Sequence, residues 1–270
     1  MAGKQRVAER GREKYRIESL AKGLRVLGLF SERRPALRMS EMSEAIGMPM
    51  PSTFRIVATL QDEDYLEQLP DGRYRPGPRV LALGFAALQG QDLVQAATAP
   101  LHALADATGE TINLGVLSGD RVLYLIRLRN AELVTANIQV GSTLPAVYAS
   151  MGKVLLASLK ARELDVTLRS GSFPPGAGPN AVRSRTALDQ QLVQIRRRGY
   201  ALQDQEVAHG LRSIAAPVRD HTGRVVAAVN IAVQAADYDI ERILTELKRP
   251  LIHTCADISI RLGHRERLRS

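Results

Sequence analysis

MSEMSEAIGMPMPSTFRIVATLQDEDYLEQLPDGRYRPGPR, residues 39–79, decides the fold. Ser40–Ile46 reads as a short helix with Ser40 as its N-cap, and Gly47 closes it. Pro49 and Pro51 forbid continuation, yet Pro51 suits the opening of a second helix that runs over Ser52–Gln61. Tyr65–Leu69 and Arg73–Arg75 then read as two strands joined by Pro70-Asp71-Gly72, a hairpin turn. Helix, sharp turn, helix and basic hairpin within about forty residues outline a winged helix-turn-helix, a module that reads duplex DNA. In the second helix Phe54, Val57, Ala58 and Gln61 share one face and are expected in the core. Ser52, Arg55, Ile56 and Thr59 share much of the other, with Thr53 at the amino end. Short hydroxyls and a guanidinium suit phosphates and base edges in a major groove. The candidate DNA contacts are therefore Ser40, Ser52, Thr53, Arg55 and Thr59, with Arg73 and Arg75 emerging together on one face of the hairpin.

On the amino side, Leu20, Leu24, Leu27 and Phe30 recur at helical spacing and predict a first helix over Ile17–Ser31 with one buried face. On the carboxyl side, Pro76-Gly77-Pro78 breaks the chain. Leu81, Gly84, Phe85 and Leu88 then form one stripe of a helix from Arg79 to Gln89. Such an amphipathic helix needs an apolar partner. A two-fold mate supplies one and sets paired half-sites; docking on the chain's own C-terminal domain is the alternative.

The net charge of +9 over 270 residues does not sit where DNA is expected to be read. Residues 1–16 hold six basic and two acidic side chains, and residues 261–270 hold four and one, so seven of the nine excess charges lie in the two tails. Ile17–Arg79 holds nine basic and nine acidic residues and is neutral in sum. The argument for DNA thus rests on where single charges point, with the tails as non-specific phosphate contacts or solubilising extensions.

From Leu93 the pattern is mixed. Helical spacing runs to Thr108, and two alternating strands, Thr111–Leu117 and Arg121–Leu128, meet at Ser118-Gly119-Asp120. A further strand is expected at Leu133–Gln139, then helices at Tyr148–Leu159, Arg162–Leu168 and Thr186–Arg198. Strands return at Leu211–Val218 and Arg224–Val233 before a long helix over Asp237–Leu262. Antiparallel hairpins flanked by helices make this an α+β sheet domain. The Arg196-Arg197-Arg198 run complements a helix dipole ahead of a Gly199 cap. The boundaries expected are a basic arm at 1–16, the winged helix-turn-helix at 17–78, a linker helix at 79–92, a ligand domain at 93–264 and a basic tail at 265–270.

Several strings, taken in order, resemble the IclR family of bacterial transcriptional regulators over about residues 17 to 262. They are Ile17-Glu18-Ser19-Leu20 with Gly23-Leu24 and Val26-Leu27, and Pro51-Ser52-Thr53. Further on come Thr143-Leu144-Pro145, Ser150-Met151-Gly152-Lys153-Val154-Leu155-Leu156-Ala157 and Arg198-Gly199-Tyr200. The last are Gly210-Leu211-Arg212-Ser213-Ile214-Ala215-Ala216-Pro217-Val218 and Gly223-Arg224-Val225-Val226-Ala227-Ala228. Leu144-Pro145-Ala146 and Ser150-Met151-Gly152 look most like the branch that controls catabolism of aromatic acids such as protocatechuate and 4-hydroxybenzoate, whose members are often activators. The resemblance implies a winged helix-turn-helix, a dimerising linker helix and a GAF-like effector domain that binds a small organic acid. It implies a double-stranded operator, a homodimer or dimer of dimers, and RNA polymerase as a further partner.

The resemblance places effector contacts at Ser150 and Met151, Gln203 and Asp204, Ser213, Asn230 and Ala232. This chain departs from the acidic cluster common in relatives, with Asp204-Gln205-Glu206, and has Asn230 where a serine is usual. Physical reasoning supports Ser213 and Asn230, since polar residues inside apolar strands need partners that a ligand can supply. Arg212 can neutralise a carboxylate, or pair internally with Glu206, and His209 adds a donor. Tyr148 can stack on a ring or serve the core.

No phosphate loop, His-Glu-x-x-His, paired cysteines or metal-spaced histidines occur, so no catalytic residue, metal or cofactor is expected. Cys255 lies in the apolar pattern of the last helix and reads as an inert thiol in a reducing compartment. No apolar run approaches the roughly 18 residues that span a bilayer, which points to a cytoplasmic protein without membrane attachment. A GAF-like sensor with no DNA role is the rival reading, and it leaves residues 39–79 unexplained.

Overall fold

The computed structural model describes residues 17–264 other than 32–33, 90–91, 129–137, 169–172 and 176. The two basic tails and most of the strand expected at Leu133–Gln139 lie outside that set. The chain divides into two compact units between Leu88 and Gln89.

The first unit contains α1 (Glu18–Leu27), α2 (Met39–Ile46), α3 (Met50–Asp62), β1 (Leu66–Gln68), β2 (Tyr74–Pro76) and α4 (Pro78–Gln89). Val26, Leu37, Met42, Val57, Leu66 and Tyr74 close its core. β1 and β2 pair antiparallel, and Leu37 bridges to Tyr74, so the hairpin is tied to the segment ahead of α2. Gly47 ends α2 in the left-handed region at φ 64°, a conformation that costs other residues about 1 kcal/mol or more.

The first unit departs from the sequence pattern at three places. Ser40 is not the N-cap: α2 begins a residue earlier, after Arg38, and the Glu41 carboxylate accepts the Arg38 N–H at 2.6 Å. The buried face of α1 is Gly23 and Val26, while Leu20 and Leu24 are 59% and 60% exposed. Gly23 faces Ile56 of α3 at ordinary van der Waals distance and Leu27 packs against the core, while Leu20 and Leu24 turn outward. In α3, Thr53 and Val57 are buried and Phe54 is 57% exposed, the reverse of the facing expected for Thr53 and Phe54. Thr53 lies four residues before Val57 and so shares its face.

The second unit is built on a six-stranded antiparallel sheet in the order β5-β4-β3-β8-β7-β6. Its strands are β3 (Thr111–Ser118), β4 (Arg121–Leu128), β5 (Thr143–Pro145), β6 (Ala201–Asp204), β7 (Leu211–Arg219) and β8 (Val225–Gln234). α5 (Asp92–Thr108) and α10 (Lys248–Arg261) pack on one another and on strands of this sheet. α6 (Ser150–Ser158) packs on its strands too, together with α8 (Arg185–Arg198). α7 (Ala161–Thr167) lies between α6 and α8 in sequence. α9 (Ile240–Arg242) leads through one π turn, Ile243–Leu247, into α10. β5 is a short strand that the apolar pattern does not signal. Cys255 is buried against the Ala216 carbonyl, and burial pushes its thiol up to about 12, which keeps it unreactive. Among the described residues no helix is long and apolar enough to cross a membrane.

A β-bulge decides which side chains meet beneath α6. Asn113 pairs with Arg127 and Gly115 pairs with Tyr124, with a register shift between Leu114 and Gly115. In a regular strand Tyr124 and Arg127, three apart, would point to opposite faces. The extra residue in β4 brings both to the same one.

Candidate functional site

In the first unit, Ser52, Arg55 and Thr59 are exposed on α3, on the side opposite Val57. The Thr59 hydroxyl donates to the Arg55 carbonyl at 2.8 Å, which leaves its lone pairs and the Arg55 guanidinium outward. Thr53 cannot join them, being fully buried with its hydroxyl donating to the Pro49 carbonyl at 3.2 Å. Ser40 is exposed on α2. Arg73 and Arg75 are exposed on the hairpin, Arg73 paired with Asp71 at 2.7 Å and Arg75 with Glu67. The Arg73 backbone N–H and guanidinium hold the Asp71 carboxyl below its usual value. Any phosphate reaching these arginines exchanges with a solvated carboxylate, and exposed pairs of this kind hold little energy.

The second unit encloses a cavity of about 20 Å³ bounded by β3, β4, β7, β8 and the start of α6. Ser150, Ser213, Asn230 and Ala232 line it, as do Asn113, Tyr124 and Arg127, with Ile138, Leu144, Val207 and Leu211 as apolar walls. Asn113 faces Arg127 on one side and Asn230 on the other, so three polar side chains stand in one row across β4, β3 and β8. Arg127 Nη1 donates to Asn113 Oδ1 at 3.0 Å, and Asn113 Nδ2 donates to Asn230 Oδ1 at 2.8 Å. Asn230 Nδ2 reaches Ser150 Oγ at 3.4 Å, and Ser150 and Ser213 hydroxyls are 2.7 Å apart. Ser213 Oγ donates to Gln203 Oε1 at 3.2 Å, and Gln203 Nε2 to the Leu211 carbonyl at 3.3 Å. Burial pushes the Tyr124 phenol well above its usual range, so it stays protonated beside Arg127.

The remaining expected contacts lie elsewhere. Arg212 donates to Asp204 Oδ1 at 2.7 Å and to the Ala235 and Tyr238 carbonyls at 3.0 and 2.7 Å. The internal-pair alternative is therefore the one realised, with Asp204 rather than Glu206 as partner. Arg212 and Ser213 are neighbours on a strand and point to opposite faces, as do Asp204 and Gln203, so each pair can give the cavity only one member. Gln203 is buried and accepts from the Ser213 hydroxyl, without lining the cavity itself. Met151 is buried in the core cluster, its Sδ-methyl end near Gly115, and His209 is exposed. Neither lines the cavity. Tyr148 also belongs to the core, its hydroxyl donating to the Pro174 carbonyl at 2.9 Å.

Sequence reasoning passes over Asn113, Tyr124 and Arg127. The rule that selects Asn230, a polar residue in an apolar strand, selects Asn113 equally well. Arg127 follows only from the register. A second polar feature lies behind the cavity wall, where Lys153 of α6, 1% exposed, donates to both carboxylate oxygens of Glu206. Burial pushes the Lys153 ammonium down and the Glu206 carboxyl up, and each partner's charge opposes that drift. Glu206 precedes Val207, so the pair anchors one wall of the cavity to the helix.

Residues 85–260 match the model of the bacterial transcriptional regulator IclR C-terminal domain, and residues 19–70 match the IclR helix-turn-helix domain. The chain belongs to the IclR family. It is 32% identical over 224 residues to the HTH-type transcriptional regulator XynR of Escherichia coli, covering 83% of this chain and 88% of that one. It is 36% identical over 223 residues to the Pca regulon regulatory protein of Pseudomonas putida, covering 80% and 74%. Among solved structures, an IclR homolog from Microbacterium hydrocarbonoxydans complexed with 4-hydroxybenzoate superposes with a TM-score of 0.76 at 28% identity, over 90% of this chain and 98% of that one. This IclR-type chain is therefore a DNA-binding transcriptional regulator with an effector-binding C-terminal domain, and not an enzyme.

Proposed function

We propose that this IclR-type regulator binds a small organic acid, aromatic or dicarboxylic, in the cavity beneath α6 and thereby controls catabolic genes. The observation that carries the reading is the hydrogen-bonded row from Arg127 to Ser213 set into apolar walls, the donor-rich lining that an acid requires. The kinship with the Pca regulon regulator and the 4-hydroxybenzoate complex favours an aromatic acid. At about 20 Å³ the cavity holds about one water-sized group, so an aromatic ring enters by displacing its walls, and that work is the link between occupancy and conformation. RNA polymerase as a further partner and the cytoplasm as the compartment belong to the same reading.

Two copies are needed to read paired half-sites. The outward pair Leu20 and Leu24 on α1 and the exposed Leu81 of the stripe expected on α4 support a homodimer, alone or paired into a tetramer, because they are apolar and bare in the single chain. The side chains of Phe85 and Leu88 lie outside the described residues.

On DNA, Ser52, Arg55 and Thr59 are the proposed reading face, and Arg73 and Arg75 the proposed wing contacts. Arg55→Ala is expected to weaken binding to the promoter region beside the gene about tenfold or more in a mobility-shift assay, and Arg73→Ala with Arg75→Ala to weaken it with a shallower salt dependence. Unchanged affinity in both variants would sink the assignment.

A further inference from the structure

Val207 reaches the cavity from the turn that joins β6 to β7, and not from a strand of the sheet. That turn is strained at its first residue. Gln205 sits in the left-handed region at φ 53°, held by its N–H bond to the Leu211 carbonyl at 2.8 Å and by its side-chain oxygen, which accepts the Gly210 N–H at 3.1 Å. The next residue, Glu206, is tied in three directions. Its carboxylate accepts the Lys153 ammonium of α6 and the Val182 N–H, and its main-chain carbonyl accepts the Gly178 N–H at 2.9 Å. Residues 177–184 are thus strapped onto the turn. The fit is close: a Cβ on Gly178 would overlap the Gln205 carbonyl oxygen and lie 3.0 Å from the Ala208 nitrogen. Pro179, Asn180 and Arg183 of the strap face solvent.

The same contacts lie across the walls that an occupant must part. Ser150 lines the cavity one helical turn before Lys153, and Val207 lines it one residue after Glu206. The walls contributed by β3, β4, β7 and β8 are strands with a hydrogen-bonded neighbour on both sides, so displacement by a group larger than about one water falls on the turn. A buried ion pair does not stretch gradually. Lys153 and Glu206 side chains are 1% and 7% exposed, so no solvent replaces a lost partner, and the turn has a held and a released position. Resting on the acid-sensing reading above, we propose that the Glu206 turn is a latch: an occupant of the cavity drives Val207 outward, draws Glu206 from Lys153 and frees the strap at 177–184. Occupancy of a closed cavity is thereby reported at a solvent-facing segment. A ligand shifts this equilibrium only by favouring the released position, which is the one that has room for it.

Hydrogen exchange of the full-length protein, resolved to the Gly178 and Val182 amides, tests the latch with and without a ligand. Val207→Phe carries the wall-displacing group permanently and needs no acid. Exchange at both amides is expected to be about tenfold faster or more than in wild type, with β3 and β8 amides unchanged. Val207→Leu, a smaller displacement, carries the same test with a smaller acceleration and keeps it available if the phenylalanine variant does not fold. Saturating 4-hydroxybenzoate should accelerate the same two amides in the wild type. Wild-type exchange at Gly178 and Val182 in the folded Val207 variants overturns the latch whether or not any acid binds. Acceleration that extends to β3 and β8 reports general loosening and overturns it too. Bound 4-hydroxybenzoate that leaves the two amides as slow as before overturns the latch while leaving acid sensing in place. Acceleration in the Val207 variants, with no binding of 4-hydroxybenzoate to the wild type, supports the latch and counts against the acid-sensing reading alone.

Discussion

Lys153→Met is expected to destabilise the second unit by about 3–5 kcal/mol in denaturant unfolding at pH 7, because it leaves the Glu206 carboxylate buried without its counter-charge. Methionine matches the lysine in length, so packing is nearly conserved and the loss reports the charge. Replacing both partners removes the orphan, and Lys153→Met with Glu206→Leu should recover part of the stability lost in the single variant. The pH dependence has a definite sign. Burial raises the folded-state pKa of Glu206 above its ordinary 4.5, more so once the ammonium is gone. A carboxyl with a raised folded pKa contributes stability that is complete below the unfolded value and disappears as pH climbs through the folded one. The deficit of Lys153→Met relative to wild type should therefore be small near pH 4 and grow toward neutrality. A deficit independent of pH, or a double variant as unstable as the single, would show that the pair is not what holds this wall.

Gly152→Ala is the second large effect, and its direction is opposite to helix propensity. Alanine in place of a helical glycine ordinarily gains about 1 kcal/mol. At the third position of α6, however, a Cβ would lie 2.2 Å from the Ala146 carbonyl oxygen and 2.4 Å from the Ala146 Cα. Those atoms belong to a main chain held by the Ala146 N–H bond to the Asp120 carbonyl at 2.9 Å, so they cannot swing aside as a flexible side chain would. Relieving the overlap pushes α6 from the sheet at the point where Ser150 enters the polar row. Overpacking of this kind costs about 1–3 kcal/mol and at times more, so a net loss of about 2 kcal/mol is expected. For a unit of this size that lowers the melting temperature by about 4–8 °C. A variant that melts at or above the wild-type temperature would contradict the close approach.

How much of this was legible in the sequence depended on which physical signal each element carried. The winged helix-turn-helix was readable because Gly47, Pro49, Pro51 and Gly72 punctuate it, and these residues have few conformational alternatives. The strand at Arg121–Leu128 was readable to the residue, since apolar composition and the Gly119 turn agree. Faces were less legible than elements. Leu20 and Leu24 look like core by composition, yet composition cannot distinguish a stripe that seals one chain from a stripe that awaits another copy. Phe54 and Thr53 exchange faces because position relative to the buried Val57, and not apolar character, sets which side of α3 faces the core.

The cavity was half legible. Ser213 and Asn230 stand out as polar residues within apolar strands, and Ser150 joins them through the family strings. Arg212 drew attention by its charge, although adjacency to Ser213 sends it to the other face of the sheet. Asn113 carried the same signal as Asn230. Arg127 carried none, because its orientation depends on pairing with Asn113 and on the bulge that also turns Tyr124 inward. Register and bulges are long-range properties, set by which strand lies beside which, and one strand's sequence does not contain them.

The decisive measurement is titration calorimetry of the full-length chain with 4-hydroxybenzoate, comparing wild type with the Ser213→Ala, Asn230→Ala variant. Each lost partner in a buried row weakens recognition by about 1–3 kcal/mol. Saturable binding by the wild type, with affinity lower by about thirtyfold or more in the variant, is the result predicted. Equal affinity in the two proteins would contradict the placement of the effector on this row.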